Sequence, residues 1–218
     1  KLNLLRHLLS LDEYSRVMVF VNTKTVADLI WKFLDRKLKT EVHVIHSNKG
    51  QNTRINSVKE FEEGNVRVLV TTDVSARGID IDDVTHVINF EAPKVYVDYV
   101  HRIGRTGRAE KKGIAITLVN EAELFHLRKI EELIRMEITE HPIPADVEIE
   151  KTKKGEEIEI NRQIDKVKRK EDPNFKGAFH EKKFKNRFAA GGQKKKPKKV
   201  NSREGKTSVK KQNRRNNR

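Results

Sequence analysis

Cysteine is missing from all 218 residues of the sequence. Disulfides and thiolate metal sites are therefore excluded, and a reducing compartment, the cytoplasm, is the expected location. No apolar run reaches membrane-spanning length, and the first residues lack the apolar stretch of a secretory signal, so no membrane association is expected. Hydrophobic residues are scarce, 35% of the chain against 36% charged. A chain of this length holds one domain of ordinary size with residues to spare, and so polar a composition predicts that part of it stays outside any core. The first residue, Lys1, is not methionine, which suggests a chain cut from something longer.

Positive charge is in excess, and it is unevenly placed. Of 47 Lys+Arg and 32 Asp+Glu, residues 146–218 hold 25 and 11, a net of +14; this leaves 22 and 21, a net of +1, for residues 1–145. The predicted organisation is a near-neutral domain over 1–145 and a basic tail over 146–218. After Pro142 and Pro144 the periodicity fades; residues 146–170 mix charges with scattered Ile and Val and promise one short element. From Asp172 onward the chain is mostly Lys, Arg, Asn and Gly. Ordering a backbone costs roughly 1–2 kcal/mol per residue, and such a segment has too few apolar groups to offset that, so it is expected to be disordered when free. Its Phe175, Phe179, Phe184 and Phe188 interleave with lysines but fall on two opposed sides of any helix. Stacking on nucleic-acid bases amid phosphate-binding lysines accounts for them as well as plain solvation does.

Within 1–145, apolar runs alternate with amphipathic stretches. VMVFV (17–21), VHVI (42–45), VRVLVT (66–71), THVINF (85–90) and IAITLV (114–119) are rich in β-branched residues and nearly continuous, as strands buried on both faces require. Between them Val26, Leu29, Ile30, Phe33 and Leu34 repeat at helical spacing, as do Ile55, Val58 and Phe61 before a stop at Gly64, and Leu124, Leu127, Ile130 and Ile134. This alternation predicts an α/β fold, a parallel sheet flanked by helices. Ligands of such sheets sit at the carboxyl ends of the strands.

Three stretches follow those ends. Asn22 and Thr23 close the first strand, and TTDVSARGID (71–80) closes the third, a polar cluster that would also serve as a capped strand-to-helix connection. HSNKGQNTR (46–54) places Gln51 and Arg54 on one face of a helix start, for which Ser47 or Asn48 is the expected cap. The third stretch, HRIGRTGR (101–108), follows a helical VYVDYV and spaces Arg102, Arg105 and Arg108 by three. If the helix continues, three guanidinium groups share one face, an arrangement that a phosphate anion would answer through paired charge-assisted bonds. His43 and His46 have metal-ligand spacing but point to opposite faces of a strand, and no metal site is expected.

These residues carry a resemblance. HRIGRTGR matches motif VI of the DEAD-box RNA helicases at every position, TTDVSARGID resembles their motif V, FVNT (20–23) motif IV, and Gln51 with Arg54 the intervening QxxR element, in the same order and at the same spacing. His101 favours the DEAD-box group, since related groups usually begin motif VI with glutamine. The resemblance covers residues 1 to about 145 and implies a second, RecA-like helicase domain. It further implies that Arg105 and Arg108 reach ATP as arginine fingers, that Asp80 contacts the ribose with Gly78 nearby, and that His101 couples the nucleotide to the other domain. Thr72 would bind an RNA phosphate, with Thr23, Arg54 and Gly78 lining the same backbone groove.

A phosphate-cradling G-x-x-x-x-G-K-[ST] loop is absent; Gly205, Lys206 and Thr207 come nearest, but Val200 stands where the first glycine belongs. The D-E-A-D tetrad is absent too. Both belong to the family's first domain, so the resemblance implies an N-terminal RecA-like partner domain that supplies the phosphate loop and the magnesium ligands. The expected function is the C-terminal half of an ATP-dependent RNA helicase, inactive alone. Two other readings are a non-enzymatic RNA-binding or chaperone module whose function lies in the tail, and a DNA translocase of a related group.

Overall fold

The computed structural model describes residues 1–175, except Lys39, Gly78, Asp80, Asp82, Asp83, residues 108–111, Lys153 and Pro173. The tail phenylalanines 179, 184 and 188 therefore lie outside the described residues, as do Arg108, Asp80 and Gly78 of the motifs.

Five strands, β1 (Val17–Val21), β2 (Val42–Ile45), β3 (Val68–Thr72), β4 (His86–Asn89) and β5 (Ile114–Thr117), form one all-parallel sheet in the order β2-β3-β1-β4-β5. The central strand shows why the apolar runs are continuous. Val17, Val19 and Val21 of β1 enter one core layer, and Met18 and Phe20 enter the other, so both faces are buried. The first layer is completed by α1 (Leu2–Ser10) through Leu5 and Leu9, and by α2 (Lys24–Lys37) through Ala27, Ile30 and Leu34. The second takes Phe61 from α3 (Gln51–Glu62) and Ala76 from the short α4 (Asp73–Ala76). Gly64, at φ 82°, turns the chain out of α3 where a side chain would be strained.

β5 departs from the expectation of burial on both faces. It is an edge strand, and its Ile114 is 51% exposed. A smaller cluster joins Tyr99 of α5 (Tyr96–Ile103) to Ile130 of α6 (Leu124–Ile134). Where one short element was expected between 146 and 170, an 18-residue helix, α7 (Lys154–Glu171), is found.

Two imidazoles, buried His86 and half-buried His126, give the domain a pH dependence. His86 stacks on Tyr14 with ring centroids 4.2 Å apart, and burial pushes its pKa below the ordinary 6.5; burial does the same to His126 of α6. The unfolded chain protonates both near 6.5 while the folded chain resists, so stability falls as pH drops below that value and levels off beneath the folded-state pKa. Urea midpoints should therefore be lower at pH 5 than at pH 7.5, and His86→Phe, which keeps the ring against Tyr14, should narrow the difference. An unchanged pH dependence in that variant contradicts the assignment.

Candidate functional site

The polar residues gather at the carboxyl edge of the sheet, but not as the three-residue spacing of the arginines suggested. α5 ends at Ile103, with Gly104 as its C-cap, and Gly107 sits at φ 71°. The helix does not run through Arg105, so Arg102 and Arg105 diverge.

Arg102 turns inward and is 1% exposed. Its Nε and Nη2 donate to the two carboxylate oxygens of Asp73, at 2.6 and 2.8 Å. Nη1 donates to Asn89 Oδ1 at 3.2 Å and to the Glu91 carbonyl at 2.8 Å, and Nη2 donates again to Asn22 Oδ1 at 3.0 Å. All five guanidinium donors are thus satisfied, and the group lies 5.4 Å from the centroid of the Phe20 ring. Arg102 is a buried tie between the ends of β1, β3 and β4 and is not available to an external anion.

Arg105, half-buried, points instead to the segment after β3, where its Nη1 donates to the Ile79 carbonyl at 2.7 Å. It shares the wall of a small crevice with Arg77, Asp98 and His101, and Phe20 and Arg102 contribute to the lining. Asp98 is buried and organises the crevice: its Oδ1 pairs with Arg77 at 2.7 Å and lies 3.7 Å from His101 Nδ1. His101 is well exposed.

A second group faces the β2–β3–β1 side. Thr72 is buried and donates from Oγ1 to Ser75 Oγ at 3.3 Å; the Ser75 carbonyl accepts Nη2 of Arg54 at 3.5 Å. Arg54 also donates to Gln51 at 3.2 Å, so the two share a face as expected, and its buried Nε has no partner among the described residues. The helix that carries them starts at Gly50 without a side-chain cap, in place of the expected Ser47 or Asn48. Thr23 caps α2, accepting from the Val26 amide at 3.3 Å, and lies just past Val21, which is in register with Thr72. His46, on the same side, hydrogen-bonds Asp28 at 3.0 Å.

The segment after β3 touches both groups, through Ser75 toward Arg54 and through Arg77 and Ile79 toward the crevice. Sequence reasoning missed Asp98 and Asn89. Each left a signal: Asp98 is the sole acid in a helical VYVDYV three residues before His101, and Asn89 is the sole amide in the run THVINF.

A parallel sheet of this order, flanked by helices and carrying its polar residues on the carboxyl edge, defines a RecA-like α/β domain. Residues 1–110 match the helicase conserved C-terminal domain, and the chain belongs to that family. Its relatives specify the DEAD-box kind. The ATP-dependent RNA helicase RhlB of Psychromonas ingrahamii is 42% identical over 146 residues, which cover 66% of this chain and 33% of that protein. The E. coli DEAD-box protein SrmB, in its structure with RraA, superposes with a TM-score of 0.58 at 40% identity, covering 63% of this chain and 80% of that one. A variant of S. cerevisiae Dbp5 bound to RNA and ADP BeF3 gives a TM-score of 0.61 at 30% identity, covering 75% and 42%. The chain thus spans about a third of the length of the curated RhlB relative. No described helix is long and apolar enough to cross a membrane.

Proposed function

We propose that this chain is the second half of an ATP-dependent RNA helicase, completing an ATP site and an RNA groove with an N-terminal RecA-like domain. The observation that carries this reading is the division of labour between two arginines. Arg102 has every donor satisfied inside the fold, while Arg105, lining a crevice at the sheet's carboxyl edge, gives one hydrogen bond among the described residues, to a carbonyl. A guanidinium held by its backbone contact but not filled suits a phosphate presented from outside. ATP would supply the phosphoryl group; Arg105, with Arg108, would stabilise charge developing on it, Asp80 and Gly78 would lie at the ribose, and His101 would meet the partner domain. Magnesium is assigned to that partner domain.

Thr23, Arg54 and Thr72 form the proposed RNA side. Arg54 and the Thr72 hydroxyl converge on Ser75, a geometry suited to backbone phosphates and carrying no base information. The test of the whole reading is ATP turnover. The chain alone should show none with or without RNA, and joined to a helicase first domain that carries the phosphate loop it should show RNA-stimulated hydrolysis. RNA-stimulated turnover by the chain alone would remove the half-site reading, and stimulation by DNA but not RNA would make it a DNA translocase.

The basic tail is assigned to nonspecific RNA tethering. Its net charge of +14 against +1 for residues 1–145 places counterion release in the tail, with log K falling by roughly 0.7 per neutralised phosphate for each decade of salt on single strands. Removing residues 172–218 should flatten that slope and weaken two unrelated RNA sequences alike in a salt titration. A slope untouched by truncation, or a loss confined to one sequence, contradicts the assignment.

A further inference from the structure

α2 carries apolar side chains outside its buried stripe. The stripe is complete with Ala27, Ile30 and Leu34, yet Leu29 is 50% exposed; together with half-buried Phe33 and with Leu2 of α1 it lines an open groove along the two helices. A surface helix usually turns charge, not leucine, to solvent.

The charges around this groove are nearly all of one sign. Lys32, Arg36 and Lys37 line it, and none has an ion-pair partner among the described residues. The one lining carboxylate, Asp28, is already engaged: it hydrogen-bonds His46 at 3.0 Å and pairs with Lys49 at 3.2 Å, and the His46 contact foremost holds its carboxyl below the usual range. The groove therefore offers apolar contact ringed by unanswered positive charge, and its complement is acidic and apolar together.

The position of its far end argues against RNA. The groove begins at Lys24 and Thr25, next to Thr23 on the proposed RNA side, where Lys24 donates to Asn48 at 2.9 Å. Lys32, Arg36 and Lys37 lie 9 to 14 residues past Thr23, on the order of 13–21 Å at the rise of a helix. Phe33, the one aromatic of the lining, is half-buried, and the exposed apolar surface is that of Leu29, which gives bases no stacking platform. We propose that the α1–α2 groove docks an acidic segment of a partner protein, which inserts Leu-, Met- or Phe-type side chains against Leu29 and Phe33 while its carboxylates pair with Lys32, Arg36 and Lys37. The proposal is independent of the helicase assignment, since it uses no residue of the crevice or of the RNA side.

The test uses the full chain and a random 12-residue peptide library displayed on phage, panned with excess oligouridine present to occupy the basic tail. Enriched peptides should combine Asp or Glu with Leu, Met or Phe. Synthesised with a fluorescent label, they should bind Leu29→Asp and Arg36→Glu at least about tenfold more weakly than the parent chain, while oligouridine affinity stays unchanged in both. Leu29 is half-exposed and Arg36 exposed, and an unchanged circular dichroism melt confirms that each variant folds. No enrichment, acidic peptides without apolar residues, or equal binding to parent and both variants overturns the proposal. Loss of oligouridine affinity in step with the peptides assigns the groove to RNA and overturns it as well.

Discussion

Arg102→Met should cost the domain about 3–5 kcal/mol of unfolding free energy, the largest effect expected of any single substitution in HRIGRTGR. The side chain is 1% exposed and makes five hydrogen bonds. Its removal leaves the Asp73 carboxylate, 18% exposed, without its bidentate partner, and leaves Asn22, Asn89 and the Glu91 carbonyl each lacking a donor. Arg102→Lys should recover only part of this, because an ammonium carries three donors and cannot fork onto both oxygens of Asp73. Adding Asp73→Asn to Arg102→Met should restore some stability by removing the uncompensated charge. Urea unfolding at neutral pH measures all three. A loss below about 1 kcal/mol for Arg102→Met, the scale of a surface ion pair, contradicts the buried tie.

The second large effect separates the neighbouring arginine from this role. In the chain joined to a helicase first domain, Arg105→Ala should lower RNA-stimulated ATP turnover by about 10³-fold or more while RNA affinity without nucleotide and the unfolding midpoint barely move. Arg105 gives one described hydrogen bond, to the Ile79 carbonyl, so its loss takes little from the fold. A finger acts where charge develops, which places the deficit in kcat and not in binding. Arg108→Ala should behave alike, and lysine should rescue neither, lacking the planar fork. Parallel loss of turnover and RNA affinity reassigns Arg105 as a nucleic-acid contact. Together the two substitutions should split cleanly, Arg102 in stability and Arg105 in rate.

Much of the architecture was legible. Continuous β-branched runs such as VMVFV can be buried on both faces only inside a parallel sheet, and β1 divides its side chains between two layers as that requires. What was not legible followed from tertiary placement. IAITLV has the composition of a central strand, yet the order of the sheet puts β5 at an edge; composition does not encode strand order. Leu29 and Ile55 fit helical periodicity but are 50% and 54% exposed, because spacing shows that a stripe exists and not where its margin falls. At the site, the three-residue spacing of Arg102, Arg105 and Arg108 implies one face only if the backbone stays helical. Gly104 ends α5 first, which turns a uniform row of cations into one interior and one outward-facing group. The inward partners were hidden for the same reason: Asn22 and Asp73 look like connection residues and Asn89 like a strand residue until the sheet order brings the ends of β1, β3 and β4 together.

The Arg102 tie also bears on the order in which the chain assembles. Its partners lie as far as 80 residues away in sequence, on strands joined only through intervening segments, since the sheet contains no hairpin. Parallel pairing of this kind requires long loops to close before any contact rewards them, which makes it slow. Until β1, β3 and β4 are in place, the guanidinium has nowhere dry to go, and a collapsed but unpaired chain would have to bury it without partners or leave it in water. A group that can be desolvated only once those strands pair thus sits one residue from His101 and three from Arg105, so the crevice acquires its shape in the same event that commits the sheet. A partly folded chain would lack the crevice altogether, and would not hold it in weakened form.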